Sequence, residues 1–312
     1  MSSAIILSGQ IQSPMRFNLI LDEDTLKSAG LKSNIIAEIK LMGDSLTWLG
    51  TGQGLALHNG KQLFSFLSTQ DSLADQEAIS LLPVGGIPAI AVKGDTLAVS
   101  FSSDNGSIQV GKGLALSYSA QDTNDLSWRY FKQPVDLPSD TVKPFGEGYY
   151  RCLPVTVPEA NVTYDSYIDG GFLWIASWAG GLRRYNMEVG NWENVPLPMD
   201  GQDSLSLCDG FDDVDDYGRP ILSGYYLNPR DPADGGNHNH KAFSVLSYSD
   251  TIWVGTANGI NRGIYGSGNC IDWKHYSYPM DNLSGNFVVG LEMSLLNFIS
   301  SQTIPPRNGV NK

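Results

Sequence analysis

Apolar and polar positions alternate in short runs along this chain, and the runs recur as one unit. Residues 42–57, MGDSLTWLGTGQGLAL, and residues 248–263, YSDTIWVGTANGINRG, share the same order. A tight polar turn leads into an apolar strand with a tryptophan, then Gly-Thr or its like, then a second turn ending in glycine. The unit recurs at 169–186, DGGFLWIASWAGGLRRYN, and in outline at 93–101, KGDTLAVSF, whose second turn is delayed to GKGLALSY at 111–118. A fainter copy is DYGRPILSGYY at 216–226. These runs are short, β-branched and aromatic, which predicts strands. Their Gly-Asp, Ser-Asp and Asp-Gly-Gly pairs supply the left-handed backbone and local side-chain bonds of hairpin turns.

A further strand lies upstream of three of these turns (NIIAEIKL, IPAIAVK, KAFSVLSY), and an outer strand closing in an aromatic and a proline lies downstream (WRYFKQP, WENVPLP, WKHYSYP). Strand and hairpin in alternation make an antiparallel meander, which is one propeller blade. The expected fold is therefore an all-β β-propeller of antiparallel four-stranded blades, with about four blades in an incomplete or open ring. The aligned positions Gly50, Ser100, Ala176 and Gly255 lie 50, 76 and 79 residues apart, against roughly 40–45 for an undecorated blade. The excess is assigned to long inter-blade loops at 135–158 and 199–239. Residues 1–33 are expected to be an edge strand or the remainder of a preceding blade, 34–292 the blades, and 293–312 an irregular tail. Trp48, Trp174 and Trp253 occupy one place in the repeat and are expected between blades. Gly50 and Gly255 are expected where a neighbouring backbone comes close or the strand bends.

The strings TIWVGTANGINRG, TWLGTGQGLAL and FLWIASWAGGLRRYN resemble the two-component-regulator propeller repeat: Asp-Gly, a short apolar stretch, Trp, a small apolar residue, Gly-Thr, and a Gly-Leu turn. The resemblance spans roughly 34–292 and implies a non-catalytic binding or sensing module of an exported bacterial signalling or surface protein. It implies a periplasmic or extracellular setting and a small-molecule, glycan or protein ligand. Similarity to the Asp-box of sialidase-like propellers is weaker. The segments 117–128 and 265–273 share its polar turn and tryptophan without its full pattern.

Composition narrows the function further. The net charge of −13 repels phosphate backbones and argues against a nucleic-acid partner. No apolar run approaches the length of a membrane span, and the N-terminus lacks the basic and apolar regions of a signal peptide. With the interrupted last unit, this reads as a piece of a longer protein with further blades or domains. Cys152, Cys208 and Cys270 have no metal-binding spacing; one disulfide with a free thiol, or three thiols, both remain open.

Catalysis has little support, since no nucleophile elbow, HExxH, P-loop or dinucleotide motif is present. A sialidase-like or lyase-type enzyme acting on carbohydrate is one alternative, and a purely structural surface scaffold is another. No cofactor is implied beyond calcium. Asp209, Asp212, Asp213, Asp215 and Asp216 could offer oxygen ligands to calcium, although their spacing fails the EF-hand template. His238 and His240 would face one side of an extended segment and could share a metal.

Overall fold

The computed structural model describes residues 31–303 except 67–75, 80–81, 83–84, 106–107, 123–125, 134, 158–160, 231–232, 234 and 294–297. Blade 1 is a meander of β1 (Ile36–Met42), β2 (Leu46–Thr51), β3 (Gly54–His58) and β4 (Leu63–Phe66). Blade 2 follows with β5 (Gln76–Ile79), β6 (Ile90–Lys93), β7 (Thr96–Asn105), β8 (Ile108–Ser117) and β9 (Trp128–Phe131); β5 adds to its outer edge beside β9. After β10 (Val142–Phe145) and β11 (Gly148–Cys152) comes blade 3: β12 (Thr163–Asp169), β13 (Phe172–Ser177), β14 (Gly181–Asn186) and β15 (Asn191–Asn194). Then come β16 (Ser204–Ser206), β17 (Asp213–Val214) and β18 (Pro220–Leu227). Blade 4 is β19 (Ala242–Tyr248), β20 (Thr251–Thr256), β21 (Gly259–Tyr265) and β22 (Ile271–Tyr276), with β16 on its outer edge. The pair β23 (Val288–Met293) and β24 (Phe298–Thr303) follows. The inner strands β1, β6, β12, β19 and β23 pack in succession. The architecture is a β-propeller.

The repeat explains this packing. Trp48 and Trp174 are fully buried, each on the blade face turned to the next blade. A Cβ on Gly50 would stand 2.5 Å from the carbonyl oxygen of Ile87, and one on Gly255 at the same distance from that of Val288. Glycine at this place lets the backbone ahead of the next blade touch the strand. The following threonine ties down the second turn. Thr51 Oγ1 donates to Gly54 O at 2.8 Å, and Thr256 Oγ1 donates to Gly259 O at 3.2 Å. Blade 2 has Ala98 where the others have tryptophan. Phe131 occupies that interface instead, stacked on Tyr185 of blade 3 at 4.6 Å.

Three expectations are corrected. The segments 135–158 and 199–239 connect blades, but they are not simple loops. They supply β10, β11, β17 and β18, which join in one inserted sheet of order β10-β11-β18-β17. Its pairing of β11 with β18 is parallel and spans blade 3 in sequence. The sheet forms because Phe145, Tyr150, Cys152, Leu222, Tyr225 and Leu227 share an apolar core with blades 3 and 4. The faint repeat at 216–226 is accordingly part of this sheet and not a blade. The tail expected at 293–312 is not wholly irregular, since β24 pairs antiparallel with β23 and satisfies that strand's hydrogen-bonding edge. Residues 1–30, most of the proposed N-terminal edge segment, lie outside the described residues.

Candidate functional site

The inner strands begin at one end of the propeller, and three of them carry a bulge there. Pairing slips past one residue in each: Ala37 in β1, Tyr164 in β12 and Phe243 in β19. A bulge leaves its extra residue unpaired and re-aims the side chain. Ala37 and Tyr164, with Pro88 ahead of β6, line a cavity of about 740 Å³; Ile35, Gln53 and Asp104 are also in its wall.

From Tyr164 a row of aromatic rings runs onward across the same end. Tyr164 meets Phe243 edge-on at 5.6 Å, and Phe243 lies 5.9 Å from Phe287, just ahead of β23. Trp178, in the second turn of blade 3, stands 5.3 Å from Phe243, and His238 lies edge-on to Phe287 at 6.4 Å. Lys241 places its ammonium 4.8 Å above the Trp178 ring. Tyr164 is 42% exposed, Phe287 37% and Trp178 36%. Aromatic rings at the beginnings of inner strands present flat apolar faces to solvent and carry polar or charged handles beside them.

Deeper in, the inner strands turn polar. Asp165 accepts hydrogen bonds from Val245 N at 2.9 Å and Ser166 N at 2.8 Å, which ties blade 3 to blade 4. Burial raises its pKa to about 6, against the opposing pull of Lys40. Burial also works to raise Asp169, but its bonds from Lys93 and Ser247 Oγ prevail and hold it below the ordinary carboxylate value.

The residues singled out from sequence are scattered around this mouth. Asp212, Asp213 and Asp216 are exposed near the edge of the inserted sheet. Asp215 accepts from Arg219 Nη2 at 2.6 Å, which lowers its pKa. Asp209 caps a turn with its backbone N–H donating to Ser206 Oγ at 3.0 Å. Among the described residues no three His, Cys, Asp or Glu side chains are grouped to hold a metal. His238 and His240 are not in an extended segment. They form a 3₁₀ turn, because the Asp200 carboxylate accepts from the backbone N–H groups of His238 and Asn239 at 2.9 and 2.8 Å. His238 joins the aromatic row, whereas His240 is buried, bonded through Nε2 to Ala179 O at 2.9 Å, with its pKa lowered to about 4 chiefly by burial. Trp253 is only half-buried, beneath Arg262 at 6.0 Å. Its strand β20 packs on β23, and the interblade burial expected of this tryptophan is incomplete in this copy. Cys208 and Cys270 form a disulfide, and Cys152 is a buried thiol.

The sequence reasoning missed Tyr164, Phe243, Trp178 and Phe287. A signal for two of them was present: in VTYDSYID and KAFSVLSY an aromatic residue stands at the same distance ahead of the blade's first turn.

No family model matches the chain, and no curated protein matches it. Solved structures do. The extracellular domain of BT4673 from B. thetaiotaomicron, assigned as a one component system, aligns at 15% identity and a TM-score of 0.42, over 86% of this chain and 24% of that one. The extracellular domain of BT3049 from the same organism, assigned as a hybrid two component system, aligns at 16% identity and a TM-score of 0.27, over 85% of this chain and 38% of that one. The β-propeller domain of Cps50 (Swd1) from Myceliophteria thermophila aligns at 9% identity and a TM-score of 0.44, over 86% and 61%. The chain thus spans less than two thirds of the length of each of these structures. Among the described residues no helix is long and apolar enough to cross a membrane.

Proposed function

We propose that this chain is a non-catalytic binding or sensing module of an extracytoplasmic signalling or surface protein, and that its ligand sits at the mouth formed by the inner strands. The observation that carries this reading is the aromatic row on the bulge positions, continuous through Tyr164 with the 740 Å³ cavity. Ligand sites are concave and largely apolar, with a few polar groups that fix orientation. The mouth has that make-up, and its flat rings suit a sugar ring or a peptide side chain. The Cys208–Cys270 disulfide supports the compartment, because such bonds persist in oxidising surroundings.

A glycosidase or lyase reading needs several carboxylates gathered with arginine or tyrosine. Among the described residues the cavity wall holds one carboxylate, Asp104, one tyrosine and no arginine. A pure scaffold would need no half-exposed aromatic row. The test is calorimetric titration of a panel of soluble oligosaccharides and short peptides into the intact chain and into Tyr164→Ala and Phe243→Ala. Each variant is expected to weaken the bound compound about tenfold or more, which corresponds to roughly 1.4 kcal/mol. Unchanged affinity in both variants would remove the mouth as the site.

A further inference from the structure

The residue that follows each bulge at the mouth is polar: Glu38 after Ala37, Asp165 after Tyr164 and Ser244 after Phe243. Strands β1, β12 and β19 are the inner edges of their sheets, so their axis-facing N–H and C=O groups have no ladder partner. In blades 3 and 4 the post-bulge side chain answers that need across the blade boundary. Asp165 Oδ2 accepts from Val245 N of blade 4 at 2.9 Å, and Ser244 Oγ donates more weakly to Val288 O of β23 at 3.5 Å. Glu38 pairs instead with Lys40 of its own strand at 3.2 Å. Of the three, Asp165 alone sets a carboxylate against the backbone of the next blade.

This bond joins two bulges directly. Asp165 is one residue beyond Tyr164 and Val245 two beyond Phe243, and the two rings meet edge-on at 5.6 Å. The other oxygen, Oδ1, accepts from Ser166 N at 2.8 Å and fixes the carboxyl's orientation. An ionised carboxylate accepts strongly from both N–H groups, whereas a neutral carboxyl offers one good acceptor for the two. The carboxyl is only partly screened from solvent, so a proton can reach it. Burial lifts its pKa to about 6, with Lys40 of β1 pulling it down and Glu38 pushing it up. Lys93 of β6 is taken by Asp169, and β13 and β19 carry no carboxylate or cation. The charged side chain of β7 is Asp104, in the cavity wall.

We propose that Asp165 is the positioning residue of the mouth: its ionised carboxylate, bridging the bulges of β12 and β19, sets the Tyr164 ring against Phe243, and protonation releases that setting. The clamp stands on its own geometry. Its consequence for binding, a mouth that holds ligand less well in acid, rests on the mouth being the ligand site.

The experiment is nuclear magnetic resonance of the ligand-free intact chain, titrated from the ordinary aspartate pKa up to neutrality. On acidification the Val245 amide proton should move upfield with a midpoint near pH 6. The Phe243 ring signals should follow with the same midpoint, although Phe243 lies on the other strand, beyond through-bond effects of the proton on Asp165. His238→Gln should leave both titrations in place, since His238 meets the row only at Phe287. Asp165→Asn should remove both and hold Phe243 at its acid position. Should that variant fail to fold, Lys40→Gln takes away the cation that favours the carboxylate and should move both midpoints upward. Three results would overturn the proposal: a Phe243 signal fixed while Val245 titrates, a titration that survives Asp165→Asn or vanishes in His238→Gln, or midpoints unmoved in Lys40→Gln. Unchanged ligand affinity in Tyr164→Ala and Phe243→Ala would remove the mouth as a site and leave this clamp standing.

Discussion

Blades 1 and 2 and blades 3 and 4 are built from one repeat but finished in opposite ways. Between blades 1 and 2 the core is apolar, with Trp48, Leu57, Phe101 and Trp128 in one cluster. The positions after the second turn are alanines, and the cavity opens over these blades. Between blades 3 and 4 the apolar core extends up into the inserted sheet. There the same positions are Arg183 and Asn261, and Asn261 exchanges hydrogen bonds with Asn239 at 2.8 and 2.9 Å. The difference teaches how a repeat acquires function. Where a long connection folds back over the blades, small residues give way to buried polar networks that dock it. Where no such sheet sits, the inner-strand ends border an open cavity, and the aromatic row carries that mouth on across the inner strands of blades 3 and 4.

The strongest way to break this comparison is to hollow each interface in turn. Trp48→Ala and Trp174→Ala should each cost about 3–5 kcal/mol in denaturant unfolding, because both rings are fully buried. Trp253→Ala should cost only about 1 kcal/mol, near the centre of ordinary substitutions. Equal losses at all three would mean that the last face is as well covered as the first two.

Removing the disulfide with Cys208→Ser and Cys270→Ser should cost about 4 kcal/mol from loop entropy, given its separation of 62 residues. Hydrogen exchange should then rise in β16, β22 and the inserted sheet while blades 1 and 2 hold their protection. Uniform loosening would erase the distinction between the two halves.

A smaller effect probes the docking of the 3₁₀ turn. Gly181 has φ +66° and any Cβ there would collide with the His240 ring. Gly181→Ala should cost about 2 kcal/mol, from strained backbone and displacement of His240.

The smallest net effect is pH-dependent, because two contributions oppose in sign. His240 has a folded pKa of about 4, below its unfolded value. Its contribution is present above pH 6.5 and is lost as pH falls through 6.5 toward 4. Asp165 has a folded pKa of about 6, above its unfolded value. Its contribution is present below pH 3.8 and is lost as pH rises toward 6. Asp165→Asn should therefore steepen the acid loss of stability between pH 4 and 6, and His240→Gln should flatten it. Chemical unfolding at several pH values would show whether the two slopes separate.

The blades were legible because each is a local meander whose turns, Trp and Gly-Thr lie within a few residues of one another. The inserted sheet was not. Tyr149, Arg151 and Cys152 pair in parallel with Ile221, Tyr226 and Leu227, across the whole of blade 3, and such long-range pairing leaves no periodic trace. The strand β24 was missed because FISSQT lacks the alternation of a half-buried strand. The acidic run and the two histidines drew attention by density alone, and density does not reveal that Arg219 and Asp200 organise their turns. At the mouth, single aromatics at the start of apolar strands look like ordinary core. Only the bulge, which depends on register with the neighbouring strand, turns Tyr164 and Phe243 outward.

The central claim is that ligand binds at the open mouth and not on the inserted sheet. Hydroxyl-radical footprinting tests it most directly, with and without the tightest-binding oligosaccharide or peptide of the panel. Protection of Tyr164, Phe243 and Phe287 is predicted, with Tyr217, 84% exposed on the inserted sheet, reacting as before. Protection of Tyr217 and Tyr149 beside Arg219, with Tyr164 and Phe243 unchanged, would contradict it.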